Sequence, residues 1–269
     1  MPHKDNRPLE NISVLVTRPL HQSNDLCQMV RQLGGETVVI PAIIINGSSD
    51  KSSIQLQIER LDDYDMAIFI SANAVEWANR AVRTQRNWPQ SLCLAVIGRS
   101  SAQALLDVGL SADICPQHLF SSEGLLAHES MQQLKDKKIL VFRGEGGREK
   151  LAKILRQRGA QVEYAEVYSR KCPAENLSDA LQNVSAEKID VITVASNESL
   201  RNLYDMAGEA LRSWLLDKPL VVISKRTADL AKQLGFNREV IVASEASNEG
   251  MIAAIVDQCE QNPRGTINV

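Results

Sequence analysis

The chain repeats itself. Val14-Leu15-Val16-Thr17-Arg18 returns as Ile139-Leu140-Val141-Phe142-Arg143, an offset of 125 residues (139 minus 14). At the same offset Arg31-Gln32-Leu33-Gly34 matches Arg156-Gln157-Arg158-Gly159, and Ser71 matches Ser196. One inserted residue then makes the offset 126 (227 minus 101). Ser101-Ala102 matches Thr227-Ala228, Gly109 matches Gly235, and Glu123-Gly124 matches Glu249-Gly250. Two similar halves predict two similar lobes, and a cleft between lobes is a preferred place for a ligand.

A chain of 269 residues holds one large domain or two ordinary ones, and the repeat favours two. Aromatic residues make up only 4%, so the expected cores are aliphatic. A net charge of −3 gives no global attraction for nucleic acid; any anion site has to be built locally. The five cysteines (Cys27, Cys93, Cys115, Cys172, Cys259) are odd in number, widely spaced and free of any CxxC pair, which suits reduced thiols in a cytoplasmic protein. The first residues, Met-Pro-His-Lys-Asp-Asn-Arg-Pro, lack the apolar stretch of a signal peptide, and no apolar run approaches the ~18 residues of a membrane span. Residues 1–11 and about 261–269 are expected to be loose tails.

Short β-rich runs alternate with helical patterns. The expected strands are 12–17, 36–45, 65–70, 92–97, 112–115, 138–142, 161–170, 189–194, 219–223 and 239–242. The expected helices are about 21–33, 51–61, 73–84, 100–108, 122–133, 148–158, 176–185, 197–207, 225–234 and 247–259. Runs such as Met66-Ala67-Ile68-Phe69-Ile70 are apolar throughout, as parallel strands covered on both faces must be. The alternation predicts doubly wound α/β sheets. Two repeat partners, 36–45 and 161–170, are unusually long. A ten-residue strand spans roughly 33 Å, enough to leave one lobe and enter the other. If they bridge, lobe one is 1–40 plus 171–269 and lobe two is 41–165; the alternative is two sequential lobes, 1–137 and 138–269.

Ligands of open parallel sheets bind at the carboxyl ends of the strands. Here those ends carry Thr17-Arg18-Pro19, Ser71-Ala72-Asn73, Gly98-Arg99-Ser100-Ser101, Arg143-Gly144-Glu145-Gly146-Gly147-Arg148, Ser196-Asn197 and Ser224-Lys225-Arg226-Thr227, each just before a helix. Taken singly, the hydroxyl residues are ordinary helix N-caps and the cations a solvated rim. Taken together, helix N-termini with Arg18, Arg99, Arg143, Arg148, Lys225 and Arg226 suit carboxylates or phosphates. A dinucleotide fingerprint is broken: the third glycine position of the Gly144 loop holds Glu149, and no Walker lysine exists. The four histidines form no metal-ligand spacing. Tyr168 stands out, because its repeat partner is Ile43 and the architecture alone does not demand a tyrosine there. It is either a strand aromatic filling space or a phenol projecting into the cleft as a hydrogen-bond donor or weak acid.

Leu-Val-Thr-Arg-Pro, Ile-Ser-Ala-Asn-Ala-Val, Val-Ile-Gly-Arg-Ser-Ser-Ala and Leu-Val-Phe-Arg-Gly-Glu-Gly-Gly-Arg-Glu, in this order and spacing, resemble the bacterial uroporphyrinogen-III synthases. So do Tyr164-Ala165-Glu166-Val167-Tyr168-Ser169-Arg170, Val-Ala-Ser-Asn-Glu-Ser-Leu and Ile-Ser-Lys-Arg-Thr-Ala. The likeness covers about residues 12–258. It implies two flavodoxin-like parallel-sheet lobes joined by a two-stranded linker, the first lobe built from both chain ends. It implies cyclisation of hydroxymethylbilane to uroporphyrinogen III, with loss of water and inversion of the last pyrrole ring, and no metal or organic cofactor. The family's tyrosine falls on Tyr168, its two turn hydroxyls on Ser101 and Thr227, and its strand-end serines on Ser71 and Ser196. With Thr17, Arg18, Arg99, Arg143, Lys225 and Arg226 these make the expected substrate-binding set. Ser224-Lys225-Arg226 departs from the Gly or Pro of many relatives and adds charge. The implied partners are the linear tetrapyrrole itself and, transiently, the preceding pathway enzyme, with no nucleic acid or membrane; the expected state is a monomer. The rivals are a two-lobed cytosolic binder or sensor of a small polyanion and a nucleotide-binding enzyme.

Overall fold

The computed structural model describes residues 7–147, 149–182 and 188–261. Its strands are β1 (Ser13–Val16), β2 (Glu36–Val39), β3 (Ile44–Gly47), β4 (Met66–Phe69), β5 (Cys93–Val96), β6 (Lys138–Gly144), β7 (Gln161–Lys171), β8 (Val191–Val194), β9 (Leu220–Val222) and β10 (Val240–Val242). The chain divides into two compact units, one comprising Met1–Ile44 with Lys171–Val269, the other Ile45–Arg170.

The first unit's sheet runs β10-β9-β8-β1-β2, all parallel. The second runs β3-β7-β6-β4-β5, with β4–β5, β4–β6 and β6–β7 parallel. The two sheets share one register. Ser13 pairs with Glu36 as Lys138 pairs with Gln161, and Val14 pairs with Val191 as Ile139 pairs with Met66. The order β2-β1-β8-β9 is therefore repeated as β7-β6-β4-β5, and the chain enters the second sheet through an added edge strand, β3, beside β7. The order in the first unit is the doubly wound 2-1-3-4-5 pattern. Central strands β1, β4 and β8 are buried along their whole length, because helices cover both faces.

Several sequence expectations need correction. The long strand 36–45 is two strands, β2 in the first sheet and β3 in the second. Ile40 and Ala42 still donate to Val16 and Thr17, so contact with β1 runs just past β2 before the chain passes to the second sheet. Strand 112–115 shrinks to an isolated bridge between Ala95 and Ile114, with Pro116 close behind. Helix 122–133 ends at Ala127: His128 is extended, and its Nδ1 accepts from Ser130 N to start a short 3₁₀ turn. Of helix 176–185, Leu177–Ala180 is helical and 183–185 lie outside the described residues. An unexpected helix spans Arg212–Leu216. The expected tail does not reach residue 11, because Leu9 is fully buried and its N–H donates to Leu33.

The cores are mostly aliphatic, with one aromatic exception. On one face of the second sheet Phe69 and Phe142 stack at 5.2 Å, and Trp88 meets both edge-on at 5.8 Å. Tyr64 and Tyr168 belong to the same layer.

Candidate active site

In the second unit, β4 leads into Ser71, whose Oγ accepts from Ala74 N (3.1 Å) and caps the helix Ala72–Arg83. The same Oγ lies 3.1 Å from the Tyr168 hydroxyl. Tyr168 reaches it through an irregularity in β7. Arg143 faces Glu166, but Gly144 faces Tyr168, so Val167 is skipped in the register. Such a bulge re-aims side chains. Here Val167 and Tyr168, consecutive in sequence, both turn inward. The ring then lies against Gly144, where an added Cβ would stand 2.7 Å from the ring carbons. Tyr168 is 2% exposed, so the phenol sits in the unit's interior with its hydroxyl at the strand-end rim.

Arg143 behaves differently from a surface cation. Its side chain is 3% exposed, and Nη1 donates to Glu149 (2.9 Å) while Nε lies 3.4 Å from Glu166. The guanidinium stacks 4.3 Å from the Tyr164 ring centroid, and Tyr164 Oη donates to the other Glu149 oxygen (2.8 Å). Hydrogen bonds from Tyr164 and Arg143 hold the Glu149 carboxyl below its ordinary range; burial, then Glu149, pushes the Tyr164 phenol up. The sequence places Arg143 on a substrate-binding rim, but its charge is already matched by two exposed carboxylates of its own unit, Glu149 and Glu166. Sequence reasoning missed Glu149, Tyr164 and Glu166. The signal was present, since Tyr164 and Glu166 share one face of a strand, but it becomes readable only with the β6–β7 register. A cavity of about 490 Å³ opens onto this network, with Arg143 and Tyr164 in its wall beside Ile97, Phe120, Lys150 and Arg170. Arg99, exposed, stacks 4.5 Å from the Phe120 ring centroid. Ser101 is buried inside the helix Arg99–Asp107, whose N-cap is Gly98. Arg148 lies outside the described residues.

In the first unit, Thr17 is fully buried and donates to Thr193 O (2.8 Å), tying β1 to β8. Arg18 is half-buried; Nη2 points at the Met251 sulfur (3.4 Å), and the buried Nε has no hydrogen-bond partner among the described residues. Burial pushes its pKa down, with Asp25 opposing. Ser196 Oγ accepts from Ser199 N and caps the helix Asn197–Ala207. Ser224, not Thr227, caps the helix Lys225–Leu234. Thr227 is buried and donates to Asn197 Oδ1 (2.8 Å), so it joins the starts of these two helices. Lys225 and Arg226 are exposed at the same helix start. The structure thus brings together Ser71 with Tyr168, and Thr227 with the start of the Ser196-capped helix. Among the described residues no cluster of three or more His, Cys, Asp or Glu is placed to hold a metal, and no helix is long and apolar enough to cross a membrane.

The acidic side chains predict a pH dependence. Lys150 leads the contacts that hold Glu123 at about 2, and Lys137 leads those that hold Asp65 below its ordinary value. Glu149 is depressed too. Each binds protons more weakly folded than unfolded. Their stabilisation is therefore complete above about pH 4.3 and is lost as pH falls toward about 2. The melting midpoint should fall across that window, and Glu123→Gln should flatten the fall. An unchanged slope in Glu123→Gln would show that the Lys150 contact does not stabilise the fold.

Comparison with known proteins agrees with this architecture. Residues 24–253 match the family model for uroporphyrinogen-III synthase HemD. The chain is 31% identical over 246 residues to the uroporphyrinogen-III synthase of Escherichia coli (strain K12), covering 91% of this chain and 100% of that one. It is 28% identical to the synthase of Synechococcus elongatus, over 95% and 98% of the two chains. In three dimensions it resembles a mutant uroporphyrinogen III synthase from the extremely thermophilic bacterium Thermus thermophilus (TM-score 0.61, 16% identity, 93% and 99% covered). The uroporphyrinogen-III synthetase of Helicobacter pylori gives TM-score 0.61 and 16% identity, with 92% and 99% covered. These two show a common fold. With the family model spanning most of the chain and the Escherichia coli relative aligned along its whole length, this chain belongs to the uroporphyrinogen-III synthase family.

Proposed function

We propose that the protein cyclises hydroxymethylbilane to uroporphyrinogen III in tetrapyrrole (haem) biosynthesis, as a hydro-lyase that uses no metal or organic cofactor. The observation that carries this reading is the family match over residues 24–253, which includes Ser71, Ser101, Tyr168, Ser196 and Thr227. The ring-A hydroxyl leaves as water once protonated, giving an electrophilic azafulvene. The substituted α-carbon of ring D attacks it to form a spiro intermediate, which fragments and recloses with ring D inverted. Free in water the bilane closes without inversion, so the task of the protein is chiefly to hold one folded conformer, an orientation effect. In this reading the Tyr168 hydroxyl, hydrogen-bonded to Ser71, gives weak acid help to the departing hydroxide. The eight substrate carboxylates meet the helix starts capped by Ser71, Gly98, Ser196 and Ser224, whose first turns Ser101 and Thr227 pack from within, with Arg99, Lys225 and Arg226 exposed there. Thr17 shapes the end of β1 rather than touching substrate, because its hydroxyl is buried and already donates. The reading includes a cytoplasmic monomer that receives the bilane from the preceding enzyme. Complementation tests it: the protein should restore growth without added haem to a bacterial strain lacking its own synthase. Failure to grow with abundant soluble protein would contradict it.

A further inference from the structure

The repeat places two arginines in equivalent positions, Arg18 after β1 and Arg143 at the end of β6. We propose that Arg18 is the arginine that binds a substrate carboxylate, and that Arg143 has been withdrawn from that role by the carboxylates of its own unit that already hold it. This rests on the synthase reading for the identity of the substrate, not for the existence of the site.

Arg143 is matched by two carboxylates and an aromatic ring: Glu149, Glu166 and Tyr164. The positions that correspond to these three, 125 residues earlier, are Asn24, Pro41 and Val39. None of them carries a negative charge or an aromatic ring, so Arg18 inherits the position of Arg143 without its partners. Asp25, the nearest acid in influence, forms no ion pair with Arg18 among the described residues. What Arg18 does have is the thioether of Met251, at the place where the other repeat has Leu125. A thioether is a weak acceptor. The Nε of Arg18 is buried and has no hydrogen-bond partner among the described residues.

A guanidinium stays charged at any physiological pH and offers a planar fork of N–H donors that fits a carboxylate with two parallel bonds. A charge partly removed from water and left without a counter-charge is unfavourable in the free protein. Some of its hydration is already lost before a ligand arrives, so a carboxylate bound there gains more than at an exposed lysine. Arg18 is only half-buried, which leaves it accessible to a ligand. It stands at the carboxyl end of β1, an interior strand of a parallel sheet, where such folds take their ligands.

The test compares wild type, Arg18→Gln, Arg18→Lys and Arg143→Gln. In Arg18→Gln, the KM for hydroxymethylbilane should rise about tenfold or more, the change expected for one charged hydrogen-bonded contact. Its melting midpoint should hold or rise, because an unpaired buried donor has gone. Arg18→Lys should recover part of the KM, and Arg143→Gln should lose more melting temperature than Arg18→Gln. An unchanged KM in Arg18→Gln, or a melting loss in it as large as in Arg143→Gln, would overturn the proposal. Should wild type form no type III product, the synthase reading fails and Arg18 is judged by titration calorimetry with benzenehexacarboxylate. Binding by wild type that weakens about tenfold in Arg18→Gln keeps the carboxylate site. Equal binding in both, or none in wild type, removes it.

Discussion

Gly124→Ala should destabilise the second unit by about 3 kcal/mol, the upper end of what overpacking costs. A Cβ at that position would stand 1.7 Å from the carbonyl oxygen of Leu119 and 2.8 Å from its carbon. These are backbone atoms and cannot rotate away. The conflict arises from how the helix Ser122–Ala127 begins: Ser121 caps it by accepting from Gly124 N, which pulls the loop carrying Leu119 across the glycine. The repeat contains the same device. Gly250 N donates to Ser247 Oγ, and a Cβ on Gly250 would meet the Glu245 oxygen at 2.4 Å. The Glu-Gly pair shared by the two halves is thus a demand for space, and Gly250→Ala should weaken the first unit in the same way. Calorimetry should show the affected transition about 6–12 °C lower, at roughly 2–4 °C per kcal/mol for units of this size. A loss under about 2 °C would mean that the loop can move aside and that the glycine is not required.

Tyr168→Phe should lower turnover about ten- to a hundredfold, at or just below the range for general acid help, with KM little changed. The phenyl ring keeps its contact with Gly144, so only the hydroxyl and its bond to Ser71 are lost. One neutral hydrogen bond contributes about 1 kcal/mol to stability. Ser71 Oγ still accepts from Ala74 N, so the helix cap survives. Steady-state rates measured well below the melting temperature separate the two effects. Wild-type turnover in a well-folded Tyr168→Phe protein would remove the acid role and leave Tyr168 as a core aromatic.

Much of the fold was readable because the chain carries two copies of it. The offsets that align Val14 with Ile139 and Ser101 with Thr227 also align the strand registers, and helices 197–207 and 225–234 end where their sequence patterns end. What escaped was set by tertiary partners. The run 36–45 reads by composition as one strand, but its two ends pair in different sheets, β2 beside β1 and β3 beside β7. The bulge that turns Tyr168 inward depends on how β7 pairs with β6, which no local pattern encodes. The candidate site divided in the same manner. Strand-end hydroxyls were identifiable as types, but sequence could not separate Ser71 and Ser196, which cap helices, from Thr227, which ties two helix starts together. Nor could it distinguish a buried, neutralised Arg143 from a half-buried Arg18, because the difference lies in side chains that approach from other elements.

The central claim is that this protein forms the inverted isomer. The direct measurement supplies hydroxymethylbilane to the purified protein, quenches early, oxidises the product to porphyrin and separates the type I and type III isomers by chromatography. Predominantly type III uroporphyrin at low protein concentration, against type I in the protein-free control, is the predicted result. Type I alone, formed at the control rate, would contradict the claim and leave a two-lobed binder of a small polyanion as the better description.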